Sequence, residues 1–449
     1  GPLDNPVDRE SENYQGYEST QNADEIKSFC PLANARLAGI STIFIVSEII
    51  GANFYQLEIS SSQSNFDDNI LINESDYTSN KIIIDIQGFS NTVWYYWRAR
   101  AQKNGLWGKW TEISSFMTNG GILLGGAIQG NALNLKGEVT TLAGSSEGDA
   151  DGIGTSAQFY GPDSITTDGT NLYIADTINN RIRKIVIVTR EVTTLAGSSE
   201  GDADGIGTSA QFFYPRGITT DGTNLYVADF NNNIIRKIVI STGEVTTLAG
   251  SSQGYADGIG TSAQFFLPSG ITTDGTNLYV ADSDNNRIRK IVISTGEVTT
   301  LAGSSYGYAD GIGSSAQFYY PDGITTDGTN LYIADTYNHR IRKIVIATAE
   351  VTTLAGSSYG YADGIGSSAQ FYYPDGITTD GTNLYIADTV NNRIRKIIIA
   401  TREVTTLAGS SEGYANGIGT SAQFAWPNGI TTDGTNLYVA DNNKIRCIK

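Results

Sequence analysis

The chain has 449 residues, 39% of them hydrophobic and 10% aromatic, enough apolar material for packed domains; at roughly 100–200 residues per domain, the length suggests two to four. Its 29 Lys and Arg against 47 Asp and Glu give a formal charge of −18, which opposes nucleic-acid and anionic-membrane binding, and no apolar run reaches the ~18 residues of a membrane-spanning helix. One histidine and two cysteines exclude a multi-histidine metal site or a four-cysteine zinc site within a single chain.

Gly1-Pro2-Leu3, with no initiator Met, reads as a protease-trimmed start, so a secretion signal would already have been removed. Residues 1–29 are polar, acidic and without a period, and read as a flexible lead-in. Residues 30–118 show short strands separated by turns, among them 53–60 and 81–86. Tyr95, Trp97, Ala99 and Ala101 alternate with Tyr96, Arg98 and Arg100, the period of a strand. With Gly105-Leu106-Trp107-Gly108-Lys109-Trp110 and Ser115-Phe116 behind it, this segment resembles a bacterial fibronectin type III domain. The resemblance implies an immunoglobulin-like β-sandwich with Tyr95 as its corner tyrosine. It departs on the second strand, where Phe44 and Val46 stand in place of an expected Trp. Residues 119–136, with Gly120-Gly121 and Gly125-Gly126, read as a linker in which 122–124 is expected to dock on one neighbour. Cys30 and Cys447, near opposite ends, are expected as free thiols, one buried and one exposed, with a disulfide as the lesser alternative.

From residue 137 to 449 the chain repeats. Val-Thr-Thr-Leu-Ala-Gly begins at Val139, Val192, Val245, Val298, Val351 and Val404, each spaced by 53 residues. One unit reads as residues 192–195, a long Gly/Ser/Asp loop, then 217–220, an Asp-Gly turn, 224–228, a polar turn and 234–240. These are four short β-branched or aromatic runs with turn residues between them, which describes a four-stranded propeller blade. Label the Ile-Thr-Thr, Leu-Tyr, Ile-Arg and Val-Thr-Thr-Leu runs a, b, c and d. Six sets of a, b and c follow an orphan d strand at Val139, and the last set ends at Lys449 without one. Pairing the orphan with the last set predicts an all-β, six-bladed propeller that closes on itself.

The segment from Asn330 to Lys343, Asn-Leu-Tyr-Ile-Ala-Asp-Thr-Tyr-Asn-His-Arg-Ile-Arg-Lys, resembles the NHL repeat, as does the Ala-Asp-Gly-Ile-Gly-x-Ser-Ala-Gln-Phe-x-x-Pro-x-Gly-Ile stretch before it. The likeness recurs six times over 139–449. Blade six departs, with Asp441-Asn442-Asn443-Lys444 two residues short and Asn416 in place of Asp.

Variation between units concentrates on the face shared by the d-to-a and b-to-c connections. Asp149, Asp202, Tyr255, Tyr308, Tyr361 and Tyr414 are equivalent positions, and the pair after Gln-Phe includes Tyr320, Tyr373 and Trp426. Tyr255, Tyr308, Tyr361, Tyr414, Tyr320, Tyr373 and Trp426 are therefore the expected ligand face, since rigid aromatics give contact area with few rotamers. The competing reading is that they staple the long loop to the blades. Asp149, Asp151, Asp202 and Asp204 alternate as in short calcium loops, but no bidentate Glu follows, and a structural Asp-Gly turn is the plainer reading. Phe159 is expected in the core. Asp176 and its equivalents are expected to accept turn N–H groups or to pair with a nearby Arg such as Arg181, a pairing that Ile234 would break in blade two. Thr166 and its equivalents are expected to ring the axis, and His339 to be a turn residue.

Catalysis needs different groups in different roles, whereas repeated blades supply the same side chain six times. The sequence therefore points to a non-enzymatic binding scaffold of a secreted or surface-exposed bacterial protein, with a protein or carbohydrate ligand and no cofactor beyond calcium at the weak loops. The alternatives are a structural extracellular spacer and, further off, a calcium-dependent hydrolase or lyase. From Glu138 onward there are 20 basic and 32 acidic residues, so RNA is disfavoured as a partner. Oligomeric state is not written in these residues.

Overall fold

The computed structural model describes residues 133–449 and, before them, strand segments between Ser28 and Leu124. The chain divides into two compact units, Gly1–Gly130 and Asn131–Lys449.

In the first unit, Ser28–Phe29, Ser41–Val46 and Lys81–Asp85 pair antiparallel in that order. A second antiparallel sheet runs Ile70–Tyr77, Phe54–Ser60, Trp94–Lys103, Ser114–Asn119, Ile122–Leu124, with Leu106–Trp107 on Trp94–Lys103. Tyr55, Leu57 and Ile59 are buried as their alternation requires. Between them the polar Glu58 is also buried and is held by Arg98 at 2.8 Å. Cys30 and the side chain of Tyr95 lie outside the described residues. The stretch read as a linker is not uniform: Asn119 ends one strand, Ile122–Leu124 forms another, and Leu133 is buried in the second unit, its N–H donating to Asp380 Oδ2 at 2.9 Å.

The second unit is the six-bladed propeller. In blade one, strand a is Pro162–Thr167, b Asn171–Asp176, c Arg181–Val186 and d Glu191–Ala196, paired in that order. In blade six the order is Pro427–Thr432, Leu437–Asp441, Lys444–Ile448 and then Glu138–Ala143, so the orphan strand closes the ring. Val139 faces Ile448, and Glu138 and Lys449 exchange N–H···O bonds of 3.1 and 2.9 Å. Each blade has one more strand than the sequence suggests. Gly152–Ile153, inside the long loop, pairs with Glu191–Ala196, and every blade repeats this. The two residues cover the outer edge that strand d would otherwise leave open.

Strand alternation explains why strands that look uniformly apolar are needed. Tyr173, Ala175 and Ile182 pack on blade two against Phe212, Leu225 and Val227. Leu172, Ile174, Ile185 and Val192 turn the other way, towards Tyr438, Ala440, Ile445 and Cys447 of blade six. Each blade is thus a sheet buried on both faces. Cys447 is a buried free thiol in one of these interfaces, and burial pushes its pKa up to about 11. Phe159 and its equivalents are fully buried, as expected.

Candidate binding site

Within each blade one ion pair locks the loop that the variable residues ride on. Arg183 is fully buried and donates through Nη1 to Asp176 Oδ2 at 2.8 Å and to the Gln158 carbonyl at 2.9 Å. Through Nη2 it donates to Asp151 at 2.8 Å and to the Ala150 carbonyl at 3.0 Å. Asp176 also accepts from the Tyr160 N–H and from Asn179. The partner of Asp176 is therefore Arg183 and not Arg181. Ile234 consequently breaks nothing in blade two, where Arg236 holds Asp229 at 3.0 Å. Arg181 instead reaches Asp149 in the loop.

The sequence-selected residues separate into two places. Tyr255, Tyr308 and Tyr361 lie flat under Arg287, Arg340 and Arg393 at 4.4, 4.3 and 4.3 Å, and Tyr414 lies under Lys444 at 4.6 Å. These rings are exposed, but each is a cation–π post holding its own loop. Asp149 makes the equivalent contact as a salt bridge with Arg181, whereas exposed Asp202 has Ile234 where the other blades place a cation. Asp151 and Asp204 are bound to Arg183 and Arg236, so the four carboxylates considered for calcium are committed to arginine in three of four cases. Among the described residues no group of three His, Cys, Asp or Glu is placed to hold a metal ion.

Tyr320, Tyr373 and Trp426 belong to a second place, the mouth of the central channel. Each sits at positive φ, 53°, 51° and 58°, where blade one has Gly161. A bulky residue in the left-handed region is strained, and such strain is kept where surrounding contacts enforce it. Here the enforcing contact crosses between blades: the Tyr320 N–H donates to Asn286 Oδ1 at 2.9 Å and the Trp426 N–H to Asn392 Oδ1 at 2.9 Å. In blade four the acceptor is His339, whose Nδ1 takes the Tyr373 N–H at 3.3 Å. Burial and Arg340 hold its pKa below the ordinary value, which keeps the accepting neutral form. His339→Asn is accordingly expected to change stability by no more than about 0.5 kcal/mol in urea denaturation, because asparagine does the same work in other blades.

Around these residues the rings join into one wall over blades four and five. Tyr306 meets Tyr319 at 6.0 Å, and Tyr319 and Tyr320 each meet Tyr337 at 5.1 Å. Tyr337 then meets Tyr373 edge-on at 4.9 Å, and Tyr373 meets Tyr372 and His339 at 5.2 and 5.1 Å. Tyr306, Tyr319 and Tyr337 remain exposed. The wall follows from tyrosines chosen in only two of the six near-identical loops.

The channel beside it is a cavity of about 100 Å³. Thr166 and its five equivalents line it, as the sequence suggests. At the mouth end, the residue after each strand-a proline is not constant: Asp163, Asp322 and Asp375 in three blades, and Arg216, Ser269 and Asn428 in the others. This ring was missed in sequence reasoning, although a position that varies between a constant Pro and a Gly-Ile kept in five of the six blades is its signature. The ring also removes the argument that identical blades can offer no differentiated chemistry. Arg216 pairs with Asp163 at 3.1 Å, reaches Asp322 at 3.8 Å and stacks on Phe230 at 4.0 Å, while Ser269 Oγ donates to Asp322. Among the described residues, the side chains of Asp375 and Asn428 have no hydrogen-bond or ion-pair partner. Burial, reinforced by the charges of Asp322 and Asp163, holds the Asp375 carboxyl well above the usual carboxylate range.

A carboxyl with a raised pKa contributes stability that is fully present below its unfolded pKa and lost as pH rises through the folded one. Asp375→Asn is therefore expected to melt above the wild type at pH 7, and the gap is expected to close towards pH 4 in a thermal scan.

The NHL repeat family matches residues 318–344. The chain is 28% identical over 312 residues to human NHL repeat-containing protein 2, covering 60% of this chain and 43% of that protein. It is 32% identical over 278 residues to the Arabidopsis thaliana protein SUPPRESSOR OF QUENCHING 1, chloroplastic, covering 56% of this chain and 26% of that one. The chain thus spans less than half the length of these curated relatives, which are eukaryotic and lend no support to a bacterial source. Its fold is shared with an auxiliary nutrient binding protein from Bacteroides thetaiotaomicron, at a TM-score of 0.55 and 15% identity over 92% of this chain and 94% of that one. The chain carries an NHL repeat in a six-bladed β-propeller.

Proposed function

We propose that the propeller is a non-enzymatic binding module whose ligand, a protein or carbohydrate segment, lies on the tyrosine wall over blades four and five and reaches into the channel mouth. The observation that carries this is the joining of blade-specific residues at one place. The wall and the ring of unlike side chains adjoin, with the Tyr320 hydroxyl within the electrostatic reach of Asp322 and Arg216. Structural demands alone are met by the repeated Asp–Arg pairs and do not call for a differentiated mouth. The nutrient-binding name of a bacterial protein of the same fold agrees with a binding role. We place the module in a secreted or surface-exposed protein. In the N-terminal unit, the pairing of the second strand with the first and fifth, and of the third with the fourth and sixth, supports a fibronectin type III-like spacer.

Glycan and peptide arrays probed with the wild-type chain and with Tyr337→Ala/Tyr373→Ala test this. Hits that vanish in the double variant support the reading. Silence of both, with the fold intact by circular dichroism, leaves the extracellular spacer as the better account.

A further inference from the structure

We propose that the unfilled part of the channel mouth receives an alkylammonium group, bound by Asp375 inside the cavity and approached across the faces of Tyr320, Tyr337 and Tyr373. This rests on the binding role proposed above and specifies the ligand's chemistry at that site.

The ring of residues after the strand-a prolines is not evenly used. Blades one to four are tied together: Arg216 covers Asp163 and reaches across to Asp322, which also takes the Ser269 hydroxyl. Asp375, on blade five, lines the same cavity and is left out of this network. Three aspartates against one arginine leave the mouth with a formal excess of two negative charges. Asp375 is only partly exposed, lines the cavity without a partner and lies near the like charges of Asp322 and Asp163, and a cation that donates hydrogen bonds is what relieves such a carboxylate.

The kind of cation follows from the rest of the cavity. A divalent metal is disfavoured, because no three ligating side chains among the described residues are grouped for one and Arg216 places a fixed positive charge in the same ring. A guanidinium-sized head would compete with Arg216 itself for the aspartates. An ammonium head is compact, with three donors, and Thr378 and Thr325 line the same cavity as Asp375. About 100 Å³ admits such a head with a few methylenes. The tyrosine faces outside favour a cation on its way in, and the apolar stem can then rest against them. The same group can come from a free amine or from a lysine of a protein partner.

Calorimetric titration of the full chain with butylammonium, with butanol as the neutral counterpart, tests the proposal. Butylammonium is expected to bind at one site per chain, butanol to give no heat, and Asp375→Asn to weaken butylammonium about ten-fold or more. Tyr255→Ala, on an outer loop, is expected to leave it unchanged. A lysine-containing peptide and its Nε-acetylated form separate the sources: a peptide much tighter than butylammonium and lost on acetylation points to a protein lysine, whereas similar affinities point to a free amine. Equal binding of butanol, no binding of any amine, calcium bound in competition with butylammonium, or full affinity in a folded Asp375→Asn chain would overturn it. An array ligand that depends on Tyr337 while every amine fails would refute the ammonium site alone and leave the binding module standing.

Discussion

Arg342→Met is expected to lower the stability of the propeller by about 3–5 kcal/mol, read as a shift of the urea midpoint. Arg342 is fully buried, and its removal strands the equally buried Asp335, which it holds at 2.8 Å, together with the carbonyls of Gln317 and Ala309 at 2.8 and 3.0 Å. The methionine fills the volume, so the loss reports the orphaned charge and not a cavity. The chain contains its own control for the outer partner. Blade six has Asn416 where blade four has Asp310, and Arg446 still donates to it at 3.0 Å. Because Asp310 is half-exposed, Asp310→Asn is expected to cost no more than about 1 kcal/mol. A loss at Arg342 no larger than that at Asp310 would mean that the buried pair is not what fixes the loop.

Gly323→Ala is the second large expected loss, about 3 kcal/mol, because the innermost strands approach too closely for a side chain there. A Cβ on Gly323 would lie 2.0 Å from the Asp375 carbonyl oxygen, and Gly217, Gly270 and Gly376 meet the next blade at 2.1, 2.0 and 2.1 Å. These contacts are to backbone, so the collision cannot be relieved by a rotamer. Blade one carries Ser164 at this position, where Ser164 Oγ accepts the Ile218 N–H at 3.4 Å. Ser164→Gly is therefore expected to be near neutral, and the contrast between the two substitutions isolates the axial packing from general sensitivity of strand a. The carbonyls that crowd these glycines belong to the ring residues, so axial packing also sets how closely the unlike side chains of the mouth are held.

Much of this fold is legible in the sequence, because a 53-residue period and one unpaired Val-Thr-Thr-Leu strand leave a closed ring as the consistent arrangement. The fifth strand was not legible: Gly152–Ile153 is two residues long and shows no alternation of its own. Nor was the arginine that serves Asp176. Arg181 stands directly across from Asp176 in the b–c pairing, but only Arg183 is buried where the Gln158 and Ala150 carbonyls also need donors. The outer tyrosines drew attention because they differ from Asp149 and Asp202, yet against Asp149 that difference exchanges a salt bridge for a cation–π contact with the same strand-c position. The mouth was hidden for the opposite reason. Single substitutions after a proline look like ordinary loop drift until closure brings all six to one axis. A linear sequence shows which positions vary, and only the ring shows which of them meet.

The most direct measurement is a titration of the strongest array ligand against two pairs of variants, Tyr337→Ala/Tyr373→Ala at the mouth and Tyr255→Ala/Tyr308→Ala on the outer loops. The expected result is a loss of about ten-fold or more in affinity for the mouth pair and little change for the outer pair, since only the former rings stand beside the unlike residues of the channel. Full affinity in the mouth pair with loss in the outer pair would place the ligand on the loop posts and contradict the account.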